Sequence, residues 1–161
     1  MAILQTARLT LRPLIPNDAE AYAAMRTHPA VAKWLPPPPE GWKGGHSIER
    51  FAASWEERRY APWGVFLAGQ LIGHGGLNHV SEFGETEVLW ALHPDFWGYA
   101  TEVAQAALGY GFDTLGLGLI FAITWPDNLA SQAVMKRIGL TYRKRMMYKG
   151  FNAVWFDKSR E

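Results

Sequence analysis

The sequence predicts a single α+β domain, residues 1–161, built around a mixed central sheet. The first observation is the order of hydrophobic periods, which alternate between strand-like and helix-like segments as β-α-α-β-β-β-α-β-α-β-β. The second is the continuous apolar run LGLIFAITW, which is typical of a strand covered on both faces. The third is the length of 161 residues, which fits one domain, with neither an internal repeat nor an interior linker to divide it.

The composition narrows the classes of function. A net charge of +1 gives no overall field that would attract nucleic acid or a membrane surface. The absence of cysteine excludes a disulfide scaffold, a thiolate zinc site and an acyl-cysteine intermediate. The run LGLGLIFAITW is too short to span a bilayer, and the first residues lack a signal-peptide pattern. We therefore expect a cytoplasmic protein without nucleic-acid or membrane partners.

The first half of the chain is predicted to contain two helices followed by three strands. RLTLRPL alternates as a half-buried strand, and Asn17 with Glu20 forms a capping-box pattern that predicts a helix start. HSIERFAASWEERRYA predicts a second, amphipathic helix. The strands follow as WGVFLAG, QLIGHGGLNHV and TEVLWALH. Gly69-Gln70 is the predicted two-residue turn between the first two.

The second half is predicted to add two helices around the apolar strand and a closing hairpin. The helix after His93 presents one face of small apolar residues, which suits close packing on a sheet: Ala100, Val103, Ala104, Ala107 and Leu108. NLASQAVMKRIG predicts a helix capped by Asn128 at its start and ended by Gly139. TYRKRMMYKG and NAVWFDKS predict a terminal hairpin.

The stretch HPDFWGYATE joins an apolar strand to a helix. A helix start offers backbone N–H groups and a positive dipole end, which favour an anion. Gly98 would let a ligand approach the backbone closely, although a glycine that only makes room for a turn is the alternative. The nucleotide-binding signatures GxGxxG and GxxxxGK[ST] and the zinc motif HExxH do not occur. The five His are scattered, so no metal site is predicted.

Four segments in register resemble the GNAT superfamily of acyl-CoA-dependent N-acetyltransferases, in its RimJ/RimL-type (ribosomal-protein N-acetyltransferase-like) branch. These segments, which cover nearly the whole chain, are ARLTLRPLIPNDAEAY, GQLIGHGGL, ETEVLWALHPDFWGYATEVAQAAL and NLASQAVMKRIGL. The resemblance implies the GNAT acyl-CoA N-acyltransferase fold. That fold would have about seven strands, splayed in the middle between TEVLWALH and LGLIFAITW, and four flanking helices. Acetyl-CoA would be the cosubstrate, without a metal.

The resemblance also implies which residues hold the coenzyme. The backbone of one strand would run beside the pantetheine arm, at Trp90, Ala91 and Leu92. The next loop would hold the pyrophosphate, with Trp97, Gly98, Tyr99, Ala100 and Thr101. The last helix would open near the thioester sulfur, with Asn128 and Ser131.

Glu87 and His74 are the candidate general bases. An amine attacks a thioester only when neutral, yet free amines have pKa values of roughly 7.7–10.4. A carboxylate within reach, directly or through water, can accept that proton. Glu87 matches a carboxylate that this branch often carries, and its alternative is a solvated strand residue. His74 is the second candidate, with a hydrogen-bonded sheet histidine as its alternative.

Two departures from the family pattern bear on function. The branch usually has W/R-G-x-G-Y-A in its loop, whereas Trp97-Gly98-Tyr99-Ala100 is two residues shorter and offers fewer amides. Many members place a tyrosine as general acid where Met135 stands here. Ser131 is then expected to hydrogen-bond the departing thiolate, unless it is only a helix-start residue. These departures motivate an alternative function, a non-catalytic acyl-CoA-binding or protein-interaction module with a degenerate pyrophosphate loop.

The acceptor is expected to be a primary amine, on a protein N-terminus or a small molecule, acetylated directly in a ternary complex. The loop KWLPPPPEGWKGG, with Trp34 and Trp42, is expected to line or cover the acceptor side, because loops carry specificity. A late basic group could contact the coenzyme 3′-phosphate, or it could simply be a solvated surface; its members are Lys136, Arg137, Arg143, Lys144, Arg145 and Lys149. An exposed aromatic surface would be compatible with a homodimer.

Overall fold

The computed structural model describes residues 1–161 as one eight-stranded mixed sheet with five α-helices. The strands are β1 (Leu4–Gln5), β2 (Thr10–Arg12), β3 (Pro62–Leu67), β4 (Gln70–Val80), β5 (Glu85–Leu92), β6 (Leu119–Thr124), β7 (Thr141–Tyr148) and β8 (Phe151–Ser159). The helices are α1 (Ala19–Arg26), α2 (Pro29–Ala32), α3 (Gly45–Arg58), α4 (Ala100–Gly109) and α5 (Leu129–Arg137). Their spatial order in the sheet is β1-β2-β3-β4-β5-β6-β8-β7.

The predicted α+β class and mixed sheet are confirmed, with one strand and one helix more than expected. The additional strand is β1, a two-residue segment in which Leu4 lies opposite Leu11. The additional helix is α2, a single turn that begins at Pro29. Both elements are too short to produce a hydrophobic period in the sequence. No helix combines the length and apolar character needed to cross a membrane.

The start of α1 differs from the predicted capping box. Neither Asn17 nor Glu20 caps the helix, and α1 begins without a side-chain cap. A 3₁₀ turn, Pro16–Asp18, precedes it instead. The Asp18 carboxylate accepts the backbone N–H of Ile15 at 2.8 Å and pairs with Arg12 at 2.8 Å. Asp18, held by Arg12 of β2, therefore stabilises the backbone turn that leads into α1.

The hairpin between β3 and β4 turns one residue earlier than predicted. Leu67 lies opposite Gln70, so the two turn residues are Ala68 and Gly69 rather than Gly69-Gln70. Both have positive φ, 48° and 83°, as a type I′ turn requires. Gln70 instead begins β4. The terminal hairpin of β7 and β8 is confirmed.

The predicted features of α4 and α5 are confirmed. All five small apolar residues proposed for the α4 face are buried: Ala100, Val103, Ala104, Ala107 and Leu108. The Asn128 side chain accepts the backbone N–H of Ser131 at 3.3 Å, which caps α5. Gly139 has a φ of 93° just beyond the helix, the left-handed conformation that ends helices.

β5 and β6 are parallel, and they diverge toward their carboxyl ends. Their paired positions are Thr86 with Ile120 and Glu87 with Phe121, and no pairing continues beyond them. β5 remains paired with β4 on its other side up to Leu92. β6 likewise remains paired with β8 through its last residue. The predicted splay between these strands is therefore confirmed, and it leaves an opening in the middle of the sheet.

The two faces of the sheet are covered by different hydrophobic clusters. Val88 and Leu92 of β5 belong to the larger cluster, which includes the small face of α4. Ala91 belongs to a second cluster on the other face, which includes Tyr22 of α1 and Ile48 of α3. β5 thus contributes alternate residues to both clusters, which fixes its register against slippage.

Gly75 of β4 sets the distance between α4 and the sheet. A Cβ at this position would lie 2.6 Å from Val103 Cγ1 and 3.1 Å from the Leu89 carbonyl oxygen. Because Val103 is fully buried, it has no room to move away. We expect Gly75→Ala to lower the free energy of unfolding by about 1–3 kcal/mol, as overpacking does. Urea unfolding measures this change. Gly45→Ala is the suitable control variant, because a Cβ at Gly45 meets nothing within 4 Å. Gly69→Ala is unsuitable, because the positive φ of Gly69 would itself strain an alanine.

Candidate active site

The opening between β5 and β6 is lined by the backbone of Trp90. The His93 N–H donates to the Ile72 carbonyl, so the backbone groups of His93 are directed toward β4. Hydrogen bonding alternates along an antiparallel strand, so the N–H and carbonyl of Ala91 also point toward β4, whereas those of Trp90 point away from it. Since β6 is no longer paired at this level, the N–H and carbonyl of Trp90 point into the opening. An extended chain with amide groups could bind there as a strand would.

Glu87 lies where the opening begins. It is opposite Phe121 in the last paired position of β5 and β6, and its side chain is half-buried. Burial raises the pKa of Glu87 to about 7, while a hydrogen bond from Asn78 and the charge of Lys149 oppose this shift. The Asn78 amide donates to Glu87 Oε1 at 3.0 Å. Such a carboxyl group exchanges a proton near neutral pH, as a general base must.

His74 lies on the same sheet face as Glu87 but farther along it. It is paired with Ala91, four residues beyond Glu87, which corresponds to about 13 Å along the strand. His74 is buried, and its Nδ1 lies 2.8 Å from the Tyr22 hydroxyl. Burial and the charge of Arg26 lower the pKa of His74 to about 3. A histidine with so low a pKa is a poor proton acceptor near neutral pH, so the two pKa values favour Glu87 over His74 as the general base.

The segment after β5 is a 3₁₀ turn continuous with α4 rather than an open loop. It spans Pro94–Tyr99, with a kink at Phe96. The Ala100 N–H donates to the Trp97 carbonyl, and the Ala100 side chain is buried. The Ala100 amide, in the segment proposed to hold the pyrophosphate, therefore already has an acceptor within the chain. Trp97, by contrast, is half-exposed, and its indole Nε1 donates to the Leu92 carbonyl at 2.8 Å.

Gly98 is exposed, and the turn does not require a glycine. Its φ lies outside the left-handed region, and a Cβ built on it would meet nothing within 4 Å. Neither backbone strain nor packing therefore explains the missing side chain. The adjacent α4 begins at Ala100 without a side-chain cap. An exposed backbone with no steric need for glycine agrees with close approach of a ligand at this position.

Asn128 and Ser131 differ in how their side chains are engaged. Asn128 is buried, donates to the Thr124 hydroxyl at 3.0 Å and accepts the Ser131 N–H. Its amide therefore connects the end of β6 to the start of α5. The Ser131 hydroxyl makes no hydrogen bond within the chain and is partly exposed. Met135, at the position of the family tyrosine, is buried in the core and offers no acid.

One member of the late basic group lies beside the turn before α4. Arg137, at the end of α5, places its Nη1 3.4 Å from the Thr101 hydroxyl. Arg143, by contrast, is paired with Asp157 at 2.7 Å, and Lys144 lies over the Trp155 ring. Arg137 is thus the basic residue that the fold brings to the predicted pyrophosphate segment.

Three residues on the sheet face covered by α1 and α3, opposite α4, were missed by the sequence analysis. Tyr22 and Arg26 come from α1, and Arg50 from α3, so only the fold brings them together. Tyr22 packs edge-on against the predicted acceptor-side residue Trp42, with ring centroids 5.8 Å apart. The i, i+4 spacing of Tyr22 and Arg26 predicts a shared helix face, but such a pair is too common to indicate a site.

Comparison with known proteins assigns the chain to a family. Residues 8–141 match the family described as the acetyltransferase (GNAT) domain. The chain is 32% identical over 149 residues to the uncharacterized N-acetyltransferase YoaA of Bacillus subtilis, covering 85% of this chain and 81% of that protein. The crystal structure of an acetyltransferase from Agrobacterium tumefaciens superimposes with a TM-score of 0.87 at 29% identity, covering 99% of this chain and 95% of that one.

A ribosomal-protein acetyltransferase also shares the fold. RimL, a ribosomal L7/L12 alpha-N-protein acetyltransferase solved in complex with coenzyme A, superimposes with a TM-score of 0.82 at 16% identity. This match covers 99% of this chain and 98% of RimL, so the two proteins share their fold along nearly their whole lengths. The residues matched by the family contain all of β5, β6, α4 and α5. With its splayed sheet and this match, the chain belongs to the GNAT acetyltransferase family.

Proposed function

We propose that the chain transfers the acetyl group of acetyl-CoA directly to a primary amine, on a protein N-terminus or a small molecule, in a ternary complex. The observation that carries this proposal is Glu87, a carboxyl group with a pKa raised to about 7 at the point where β5 and β6 part. A degenerate binding module would have no need for a base poised near neutrality. The position at the opening supports catalysis over the non-catalytic alternative.

The proposed reaction uses three groups around the opening. Ionised Glu87 accepts the ammonium proton, directly or through water, so that the neutral amine nitrogen attacks the thioester carbonyl carbon. The Trp90 N–H, which faces the opening, donates to the developing oxyanion. The C–S bond then breaks, and the Ser131 hydroxyl hydrogen-bonds the departing thiolate. As the C–S bond breaks, the nitrogen loses its second proton, which the thiolate takes up through water, so that CoA leaves as the free thiol. The first proton, held by Glu87, passes to solvent.

The residues proposed to hold the coenzyme fit it in three places. The Trp90 carbonyl, which also faces the opening, suits an amide N–H of the pantetheine arm, and the neighbouring Ala91 and Leu92 form the strand wall. The exposed Gly98 allows the pyrophosphate to approach the turn before α4, between Trp97 and Tyr99. Arg137 supplies a positive charge beside Thr101. The coenzyme complex of the structural neighbour RimL supports the same cosubstrate.

Calorimetric titration with acetyl-CoA tests the cosubstrate, with dephospho-CoA as the comparison. We expect micromolar binding of acetyl-CoA. Weaker binding of dephospho-CoA would indicate a contact to the 3′-phosphate. The same samples are then assayed for release of free CoA with a panel of amines. Tight binding without turnover of any amine would favour the interaction module instead. Absence of binding up to millimolar concentration would contradict the proposal outright.

A further inference from the structure

Two arginines on the α1 and α3 side of the sheet have no carboxylate partner. The ion pairs of the structure use other basic residues, namely Arg8, Arg12, Arg58, His93 and Arg143. Arg26 Nη2 donates to the neutral Pro36 carbonyl at 2.6 Å. Arg50 Nη2 lies 3.4 Å from the Ser47 hydroxyl, which is also neutral. Neither guanidinium therefore makes an ion pair within the chain.

Arg26 also leaves a buried donor without a partner. Its Nη1 is excluded from solvent and makes no hydrogen bond, a condition shared by only one other side-chain atom, Trp55 Nε1. A buried N–H without an acceptor costs stability, and the cost is greater for a charged group. Burial correspondingly lowers the pKa of Arg26. A buried guanidinium N–H without a partner, such as Arg26 Nη1, is explained if a ligand supplies the missing acceptor.

The two arginines converge on Tyr22. Arg26 follows Tyr22 by four residues on α1, so the two share one helix face. On α3, Arg50 reaches Ser47, whose hydroxyl accepts the indole N–H of Trp42 at 2.9 Å. Trp42 in turn packs edge-on against Tyr22. Burial raises the pKa of Tyr22 to about 12, and the charges of both Arg26 and Arg50 oppose the rise.

This cluster adjoins the strand that lines the opening. The Tyr22 hydroxyl lies 2.8 Å from His74 Nδ1, and His74 is paired with Ala91 of β5. No carboxylate acts on the pKa of Tyr22, Arg26 or His74. Two arginines that make no ion pair therefore lie on the side of the sheet that also carries Glu87.

We infer that Arg26 and Arg50 bind an oxyanion on the acceptor, so that the acceptor is an amine that also carries a carboxylate or a phosphate. This inference rests on the proposed function, because it names the acceptor class of that site. Guanidinium groups match both oxyanions with paired N–H donors. Ala91 lies about 13 Å along β5 from Glu87, so an acceptor with several bonds between its amine and its anion spans the site best.

The test is calorimetric binding of matched amine pairs, which does not depend on turnover. The first pair is 6-aminohexanoate and 6-aminohexanamide, and the second is 6-aminohexyl phosphate and 6-aminohexanol, so that both anions stand at a similar distance from the amine. We expect the charged member of at least one pair to bind about tenfold more tightly or better, and the pair with the larger ratio identifies the oxyanion. Arg26→Gln and Arg50→Gln should each bring that ratio close to one. Arg58→Gln, which removes the same charge from α3, should keep it.

Equal affinities for the charged and neutral members of both pairs would overturn the oxyanion site. A ratio that survives in Arg50→Gln would do the same, and this variant is informative even if Arg26→Gln unfolds, because Arg50 is exposed. Acetyl transfer to the same amines is measured in parallel. Transfer without charge preference removes the oxyanion site and leaves the proposed function standing. Charge preference without transfer supports the site and contradicts the function.

Discussion

Glu87→Gln is expected to lower kcat/KM by about 10²- to 10⁴-fold, the range that a general base contributes. The wild-type rate should rise with pH through about 7, because Glu87 is protonated below that pH and ionised above it. The variant should lose this rise and keep only the titration of the amine itself. Initial rates of CoA release, measured from pH 5.5 to 9 with one amine, separate the two ionisations.

Two further variants sharpen this test of Glu87. Glu85→Gln removes a carboxylate from the same face of β5, two residues earlier, and should keep the rise near pH 7. Asn78→Leu removes the hydrogen bond that favours ionised Glu87, so the rise should move to higher pH. A Glu87→Gln enzyme with the wild-type pH profile would show that another group accepts the proton.

The raised pKa of Glu87 also predicts a pH dependence of stability. Between its ordinary value of 4.5 and about 7, the folded chain binds this proton and the unfolded chain does not. Stability therefore falls as pH rises through that interval, because the folded state must release the proton. Glu87→Gln removes this loss, so its Tm relative to the wild type should be higher at pH 8 than at pH 4.5. Thermal unfolding at both values measures the difference.

Gly98→Val is expected to weaken acetyl-CoA binding by at least about tenfold while hardly changing stability. The Cβ of the added side chain meets nothing within 4 Å in the chain, so we expect folding to tolerate the substitution. It would nevertheless occupy the exposed backbone position where the pyrophosphate is proposed to approach. A steric loss of one or two charge-assisted hydrogen bonds is sufficient for this effect. Calorimetry gives the affinity, and urea unfolding gives the stability.

Gly75→Ala provides the contrast for this prediction. Its methyl group would press against α4, so stability should fall there without direct obstruction of the turn at Gly98. If Gly98→Val instead lost stability and affinity in parallel, Gly98 would be a turn residue and little else. Unaltered affinity in a stable Gly98→Val protein would place the pyrophosphate elsewhere.

The sequence predicts the parts of this fold that repeat a strong local pattern. The buried face of α4, the Asn128 cap and the splay beside LGLIFAITW all follow from periodicity or from the family resemblance. The predicted capping box at the start of α1 was wrong, because Arg12, six residues before Asp18, pairs with the Asp18 carboxylate there instead. The predicted position of the β3–β4 turn was wrong because Ala68 adopts a positive φ, which is uncommon for alanine and is not indicated by the sequence.

The candidate site was predictable only where one segment supplies it. Glu87 and Gly98 belong to a single strand-turn-helix segment and were found from it. The acceptor side combines Tyr22 and Arg26 with Arg50 and His74, which lie far apart in the chain, so no spacing connects them. The lowered pKa of His74 also could not be predicted from the sequence. It results from burial and from the charge of Arg26, and only the folded structure brings α1 next to His74.

The close contact of α4 with β4 has a consequence for the kinetics of donor binding. Val103 packs close to Gly75, and the Trp97 indole donates to the Leu92 carbonyl, so the helix and the strand end are already joined before a donor binds. A donor that meets such a preorganised surface loses little free energy to ordering a loop. Association should then be a single step whose rate scales with donor concentration, without the plateau that a slow closing motion imposes.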